Sequence, residues 1–300
     1  EKELVRKDMC ELSPIVWHGR LCHIACVRPA QGGSLEDYYL ELTDAETGEE
    51  LARFAQGYGL ACAHVNNDTL YVFASRYENN HKTKSLVSEA NTWNDVTLFA
   101  SSDLFVCPGL INAATTKSIA EHKANNKHWE KKVVIQQENE QLFNSSVCEG
   151  PDGFVMAYES NDPKYPAFTI KFARSKDLKN WEKIPDAIFG TNRYTACPCI
   201  RYVNGYYYVL YLEHRTPRHY FETYITRSKD LKEWELSSAN PILRPVEIDD
   251  GINTSDPEVV EFGGKTYVYY AVGDQLTWMN IKRGVYPGSL KRFCEQWYEQ

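Results

Sequence analysis

Short runs of alternating hydrophobic and polar residues cover most of the chain and predict β-strands. Five pairs of runs are joined by tight-turn sequences, which predict five β-hairpins. The turns are at His18-Gly19, Asn66-Asn67-Asp68, Pro151-Asp152-Gly153, Asn204-Gly205 and Gly263-Gly264. One or two further strands follow each hairpin, so a unit of up to four strands recurs about every 50 to 60 residues.

A second repeat follows the third and fourth hairpins. The sequence Arg-Ser-Lys-Asp-Leu-Lys-x-Trp occurs around Asp177 and again around Asp230, 53 residues later. Ser and Asp at such positions accept backbone N–H groups and close turns, so we interpret both aspartates as structural. A weaker copy at Asp103 lies 74 residues before Asp177, which predicts an insertion, partly helical, over residues 110–132.

Four-stranded units repeated five times predict an all-β fold, a five-bladed β-propeller in one domain. The predicted blades span about 9–56, 57–138, 139–190, 191–245 and 246–288. After them, apolar residues at helical spacing predict a short C-terminal helix over 289–299, with Ser289 as N-cap.

Composition narrows the class of partner. A net charge of −8 without a dense Lys/Arg cluster argues against nucleic acid, and no apolar run is long enough for a membrane span. The nine cysteines lack zinc-ligand spacing, so we expect reduced, structural thiols and no metal. The chain starts without an apolar leader. Removal of a leader would give the same start, so a cytoplasmic and an exported soluble protein both stay open.

Propeller topology brings the start of each first strand and the end of each second strand to one face of the central funnel. Four second strands end in a carboxylate. The general polarity of loops does not account for acidic residues at so many equivalent positions. The predicted funnel set is Arg76, Asn144, Glu159, Arg193, Tyr194, Glu213, His214, Arg215, Asn253, Asp256, Asp274, Gln275 and Trp278. Convergent carboxylates are what glycoside hydrolysis requires, because one protonates the leaving oxygen and another activates water.

The blade motifs resemble those of five-bladed glycosidases, glycoside hydrolase family 43 and its relatives of the arabinanase, xylosidase and fructosidase type. Ser255-Asp256-Pro257, followed by Gly263-Gly264, is similar to their Asp-Pro first-strand motif, although here it lies in the last blade. The resemblance implies that Asp256 is the general base. Glu149-Gly150-Pro151 looks like their general-acid segment, but its closeness to the turn places Glu149 at the opposite face.

We therefore expect Asp256, Glu159 and Glu213 to be catalytic, in a glycosidase that removes a terminal sugar, by inversion if it follows the family. The remaining funnel residues are expected to bind the carbohydrate substrate; the arginines either clamp an acidic sugar or form salt bridges. No cofactor is expected, and an axial cation stays open. Two alternatives stay open: a glycoside phosphorylase using Arg193, His214, Arg215 and His219, and a non-catalytic sugar-binding propeller.

Overall fold

The structure, a computed structural model, describes residues 2–9, 11–28, 37–76, 95–101, 129–136, 140–216, 220–275 and 277–299. Within these residues the strands form five antiparallel four-stranded sheets. Blade I contains β2 (Leu12–Trp17), β3 (Arg20–Val27), β4 (Tyr39–Asp44) and β5 (Glu50–Phe54). Blade II contains β6 (Tyr58–Asn66), β7 (Thr69–Arg76), β8 (Asp95–Ser101) and β9 (Glu130–Gln136).

Blade III contains β10 (Leu142–Gly150), β11 (Gly153–Ser160), β12 (Thr169–Ser175) and β13 (Trp181–Phe189). Blade IV contains β14 (Ala196–Val203), β15 (Tyr206–Arg215), β16 (Tyr220–Ser228) and β17 (Glu235–Leu236). Blade V contains β18 (Ser255–Phe262), β19 (Lys265–Gly273), β20 (Met279–Tyr286) and β1 (Lys2–Arg6). The first strands β2, β6, β10, β14 and β18 contact one another in a closed ring. The predicted five-bladed all-β propeller is confirmed.

Local turn chemistry explains why the blades form at these positions. Four of the hairpin turns consist of two residues that both have positive φ, from 48° to 84°. This is the backbone of a type I′ turn, whose twist matches that of the flanking strands, and it favours Gly, Asn and Asp. These turns are His18-Gly19, Asn67-Asp68, Asn204-Gly205 and Gly263-Gly264.

The repeated Ser-x-Asp…Trp segments also form turns. Asp177 Oδ1 accepts the N–H groups of Lys179 and Asn180, and Trp181 Nε1 donates to the carbonyl of Leu178 at 2.9 Å. Asp230 accepts the equivalent N–H groups of the next blade. Both aspartates are therefore turn residues, as the repeat predicts.

The ring is closed by the N-terminal strand. β1 pairs with β20 and becomes the outermost strand of blade V, whereas the sequence pattern assigned residues 2–6 to no blade. Val5 and Met9 pack there against buried Leu12 and Ile281. The two ends of the propeller chain thus share one sheet.

The predicted C-terminal helix is confirmed as α1 (Leu290–Glu295), which continues as a 3₁₀ turn (Gln296–Tyr298). The Ser289 side chain caps it by accepting the N–H of Arg292. Phe293 and Cys294 pack against blades IV and V. No helix among the described residues is long and apolar enough to cross a membrane.

Most of the predicted insertion, residues 110–128, lies outside the described residues, and so does the weaker repeat copy at Asp103. Its predicted end needs correction, because residues 130–132 belong to β9, which pairs with β8. The seven described cysteines are free thiols, and only Cys197 among them is not fully buried.

Candidate active site

A ring of strained residues surrounds the axis at the start of the first strands. In β6, β10, β14 and β18 the register with the second strand slips at a β-bulge. One residue in each bulge has a left-handed backbone: Leu60 (φ 55°), Asn144 (φ 24°), Cys197 (φ 49°) and Asp256 (φ 50°). A non-glycine residue in this conformation costs about 1 to 3 kcal/mol, and such strain clusters at functional sites.

A small axial cavity of about 30 Å³ opens between these bulges. We call its lining the funnel floor: Glu11, Leu12, Ala61, Asn144, Ser145, Cys197, Pro198, Asp256, Pro257 and Glu258. Sequence analysis predicted Asn144 and Asp256 here. It missed Glu11, although the rule used for the other blades, the start of each first strand, also points to Glu11 just before β2.

Asp256 is half-buried at the funnel floor and accepts a hydrogen bond from the hydroxyl of its neighbour Ser255. Burial and the Glu11 carboxylate raise the pKa of Asp256 to about 6, against the hydrogen bond from Ser255. Asp256 is thus ionised over most of its population at neutral pH.

Glu159 is the penultimate residue of β11 and is 5% exposed. Its Oε2 accepts hydrogen bonds from Asn144 Nδ2 at 3.0 Å and from the Cys197 N–H at 2.8 Å. Burial raises the pKa of Glu159 to about 7 despite these bonds, and the carboxylates of Asp256 and Glu11 contribute to the increase. Glu159 therefore keeps a proton at a pH where Asp256 has largely lost its own.

Glu11 completes the carboxylate group. It forms an ion pair with Arg28, which follows β3, and its Oε2 accepts the Leu60 N–H at 3.2 Å. The charge of Glu11 adds to burial in raising the pKa of Asp256 and of Glu159, and the charge of Asp256 adds to the increase for Glu159.

Glu213 lies in a different group. It is buried, pairs with Arg215 at 2.7 Å and with Arg193 at 3.6 Å, and accepts a hydrogen bond from Tyr211 at 3.0 Å. Two of the predicted arginines are therefore engaged by the third predicted carboxylate. The main causes of the raised pKa of Glu159 and of Asp256 are burial and groups other than Glu213.

Half-buried aromatic rings line the same face beside blades III and IV. Tyr194 packs edge-on against Phe168 at 5.4 Å and against His214 at 5.9 Å, and His214 stacks on Phe221 at 4.5 Å. Burial raises the pKa of the Tyr194 phenol, and the charges of Glu159 and Asp256 add to the increase, which places Tyr194 near the funnel floor. Such rings present apolar faces to a sugar.

The predicted residues of blade V hold the segment that precedes and flanks Asp256. Buried Asn253 donates to the carbonyl of Ala271 at 3.2 Å and accepts from Gln275 Nε2 at 2.8 Å. Asp274 accepts the N–H groups of Thr277 and Trp278, so it closes a turn at the end of β19. The Trp278 ring lies close to Gly251.

Two predicted residues lie outside what the structure describes, the Arg76 side chain and His219. Glu149 is exposed at the end of β10, next to the hairpin turn and away from the funnel floor, as predicted.

A larger cavity of about 820 Å³ lies on the opposite face, between blades III and IV. Its acidic residues include Asp177 and Asp230 of the repeated turns. Backbone hydrogen bonds, above all from Asn180, lower the pKa of Asp177 to about 2. A carboxylate held in this ionised state is a poor proton donor, so the funnel floor is the better candidate for acid–base chemistry.

One acidic cluster among the described residues has metal-ligand spacing, Glu247, Asp249 and Asp250. The Lys282 ammonium already bonds to all three carboxylates, at 2.8, 2.9 and 2.7 Å. An internal cation thus takes the place that a metal ion would need.

No protein-family model and no curated protein sequence matches the chain. Solved structures match over nearly its whole length. One is a complex of BT0996 and RGII, with 14% identity, a TM-score of 0.64, and 94% of this chain and 90% of that one covered.

Two further matches are an exo-1,5-α-L-arabinanase from a bovine ruminal metagenomic library and the α-L-arabinofuranosidase PaAbf62A from Podospora anserina in complex with cellotriose. The arabinanase has 12% identity and a TM-score of 0.59, with 94% of each chain covered. The arabinofuranosidase has 12% identity and a TM-score of 0.61, with 94% of this chain and 91% of that one covered. These likenesses establish a shared fold.

Proposed function

We propose that the chain is a glycoside hydrolase that removes a terminal sugar from an oligo- or polysaccharide at the funnel floor. The observation that carries this proposal is the coupled group of Glu11, Glu159 and Asp256, in which the pKa of Glu159 is raised to about 7 and that of Asp256 to about 6. Glycosidases occur among the solved structures with this fold. Two carboxyl groups with separated pKa values are what an acid–base pair requires.

In this mechanism protonated Glu159 donates its proton to the glycosidic oxygen, and the bond from that oxygen to the anomeric carbon breaks. Asp256, as carboxylate, takes a proton from water while the water oxygen bonds to the anomeric carbon. Glu159 ends ionised and Asp256 protonated, and exchange of protons with solvent restores both. Burial keeps both pKa values high, and the charge of Glu11, which is held by Arg28, adds to the increase.

Binding of the sugar falls to the residues around this group. The Tyr194 and His214 rings form an apolar wall, and Arg193 and Arg215, held by Glu213, supply hydrogen-bond donors. Asn253 and Gln275 fix the backbone that carries Asp256. In this assignment Glu213 orients the arginines, so the expectation that it is itself catalytic is not part of the proposal.

The test is sugar release from a panel of plant and host glycans by wild type, Asp256→Asn, Glu159→Gln and Glu149→Gln, with and without phosphate. We expect phosphate-independent release that falls by about 100- to 10,000-fold in the first two variants and is unchanged in Glu149→Gln, whose exposed side chain lies away from the funnel floor. The kcat/KM profile should be bell-shaped, with its optimum between the pKa values of about 6 and about 7.

Release that requires phosphate would indicate a phosphorylase instead. Binding without release would indicate a non-catalytic sugar-binding propeller. Proton NMR of the first product assigns the anomer, and inversion of configuration is the expected outcome.

A further inference from the structure

The side chain of Asn144 connects the proposed general acid to the neighbouring blade. In the sheet of blade III, β10 pairs Phe143 with Glu159 and Ser145 with Tyr158. Asn144 lies between these pairs as the extra residue of the bulge, and asparagine tolerates its positive φ of 24° better than most residues do. From this position its amide lies beside the Glu159 carboxyl group.

One amide group serves two acceptors there. Asn144 Nδ2 donates to Glu159 Oε2 at 3.0 Å and to Cys197 Sγ of blade IV at 3.2 Å. An amide NH₂ group has two hydrogens, so both bonds can form at once. The Cys197 N–H donates to the same carboxyl oxygen, Glu159 Oε2, at 2.8 Å. Two N–H donors from two blades thus converge on a single oxygen of Glu159.

This convergence distinguishes the two oxygens of the carboxyl group. A carboxyl oxygen has two lone pairs, and the two N–H donors use both lone pairs of Oε2. A proton on Oε2 would displace one of these donors inside a buried site, where an unpaired donor is costly. When Glu159 is protonated, its proton is therefore on Oε1.

We propose that Asn144 is a positioning residue of the proposed general acid: its amide, together with the Cys197 N–H, holds Glu159 Oε2 and leaves Oε1 to carry the proton that reaches the glycosidic oxygen. This inference rests on the proposed function. Asn144 was expected from the sequence to bind the sugar, whereas in this assignment it acts on the sugar through Glu159.

The same hydrogen bond affects the ionisation of Glu159. A hydrogen bond to a carboxylate favours the charged form, so the Asn144 amide lowers the pKa of Glu159 against the larger effect of burial. Removing the amide should raise that pKa. The other groups that face Glu159 remain when only the amide is removed: the Cys197 N–H and thiol, Asp256, Glu11 with its partner Arg28, and Tyr194.

The experiment compares wild type with Asn144→Gly and Asn144→Asp, because both new residues accept a positive φ and both lack the amide donor. In Asn144→Gly we expect the basic limb of the kcat/KM profile to move up by about 0.5 to 1 pH unit. We also expect kcat to fall by about 10- to 100-fold, with a smaller change in KM. Asn144→Asp puts a like charge beside Glu159 and should move the limb further.

Asn204 offers a matched control. It also has a positive φ, 48°, and its Nδ2 donates to Glu295 at 2.8 Å, but it lies in an exposed hairpin turn away from the funnel floor. Asn204→Gly and Asn204→Asp should keep the wild-type profile. Thermal unfolding identifies the variants that fold, and either folded Asn144 variant is sufficient for the test.

Carboxyl-¹³C NMR of labelled glutamate, assigned with Glu159→Gln, follows the Glu159 titration without substrate. A rise of the Glu159 pKa in Asn144→Gly and a larger rise in Asn144→Asp, with a wild-type titration in both Asn204 variants, supports the inference even if no hydrolysis is found. An unchanged titration in the folded Asn144 variants would overturn it, and so would equal shifts in the Asn144 and Asn204 variants. Absence of sugar release alone would overturn only the proposed function.

Discussion

The funnel floor is built from residues whose backbone conformation is unfavourable. Leu60, Asn144, Cys197 and Asp256 all have φ between 24° and 55°, although none is glycine. The surrounding sheets hold these backbones in place. Three of the four residues, Asn144, Cys197 and Asp256, line the axial cavity. Burial also disfavours the ionised carboxylates, because it raises the pKa of Glu159 and of Asp256.

Glu159 should therefore reduce the stability of the fold at high pH. Its pKa in the folded protein is about 7 against an ordinary 4.5, so the folded state binds more protons between these values. Stability then falls as pH rises through this window. We expect Glu159→Gln to be more stable than wild type by on the order of 3 kcal/mol at pH 8, and nearly equal to it at pH 4.

Urea unfolding at both pH values measures this difference. Glu149→Gln, an exposed glutamate of the same hairpin, serves as control and should stay within about 0.5 kcal/mol of wild type at both. If Glu159→Gln is no more stable than wild type at pH 8, ionisation of Glu159 does not lower the free energy of unfolding.

Individual elements differ in how far they can be predicted from sequence. The hairpins are predictable because Asn-Gly, Gly-Gly and the Ser-x-Asp turns act within a few residues. Placement of Asn144, Glu159 and Asp256 near the axis followed from topology alone. Bulges at non-glycine residues leave no local signal, so the contacts of Cys197 and the engagement of Arg193 and Arg215 by Glu213 could not be predicted.

The segment before β18 depends on a contact of the same unpredictable kind. Lys282 of β20 bonds to Glu247, Asp249 and the fully buried Asp250, whose backbone carbonyl accepts the N–H of Asn253. Removing the ammonium leaves a buried carboxylate without its cation. We expect Lys282→Met to lose about 3 to 5 kcal/mol of stability at neutral pH.

Urea unfolding across pH checks the cause. Hydrogen bonds from Lys282 and from backbone N–H groups lower the pKa of Asp250 against its burial, so its stabilising contribution is present above its unfolded pKa and lost as pH falls. The deficit of Lys282→Met should thus shrink in acid. Lys265→Met, at the exposed start of β19, should match wild type throughout; equal effects of both variants would contradict this account.

At the scale of the whole molecule, the propeller depends on a joint between distant parts of the chain. The hydrophobic pattern predicted five repeated units but did not show that the fourth strand of the last unit comes from residues 2–6. β1 pairs with β20 although the two strands lie at opposite ends of the sequence, and it covers the edge of β20 that faces away from β19. An unpaired β20 would otherwise expose a row of backbone groups.

This closure predicts opposite outcomes for adjacent residues of β1. Val5 packs against the buried side chains of blade V, whereas Leu4 is 47% exposed. Val5→Asp places a charge in that apolar contact and should cost about 2 kcal/mol or more, while Leu4→Asp should leave stability nearly unchanged. Hydrogen exchange should accelerate in β20 in the Val5 variant and remain slow in β7 and β11. If exchange in β20 stays slow in Val5→Asp, β1 does not hold the ring closed, and the joint must depend on contacts between the first strands of blades V and I, β18 and β2.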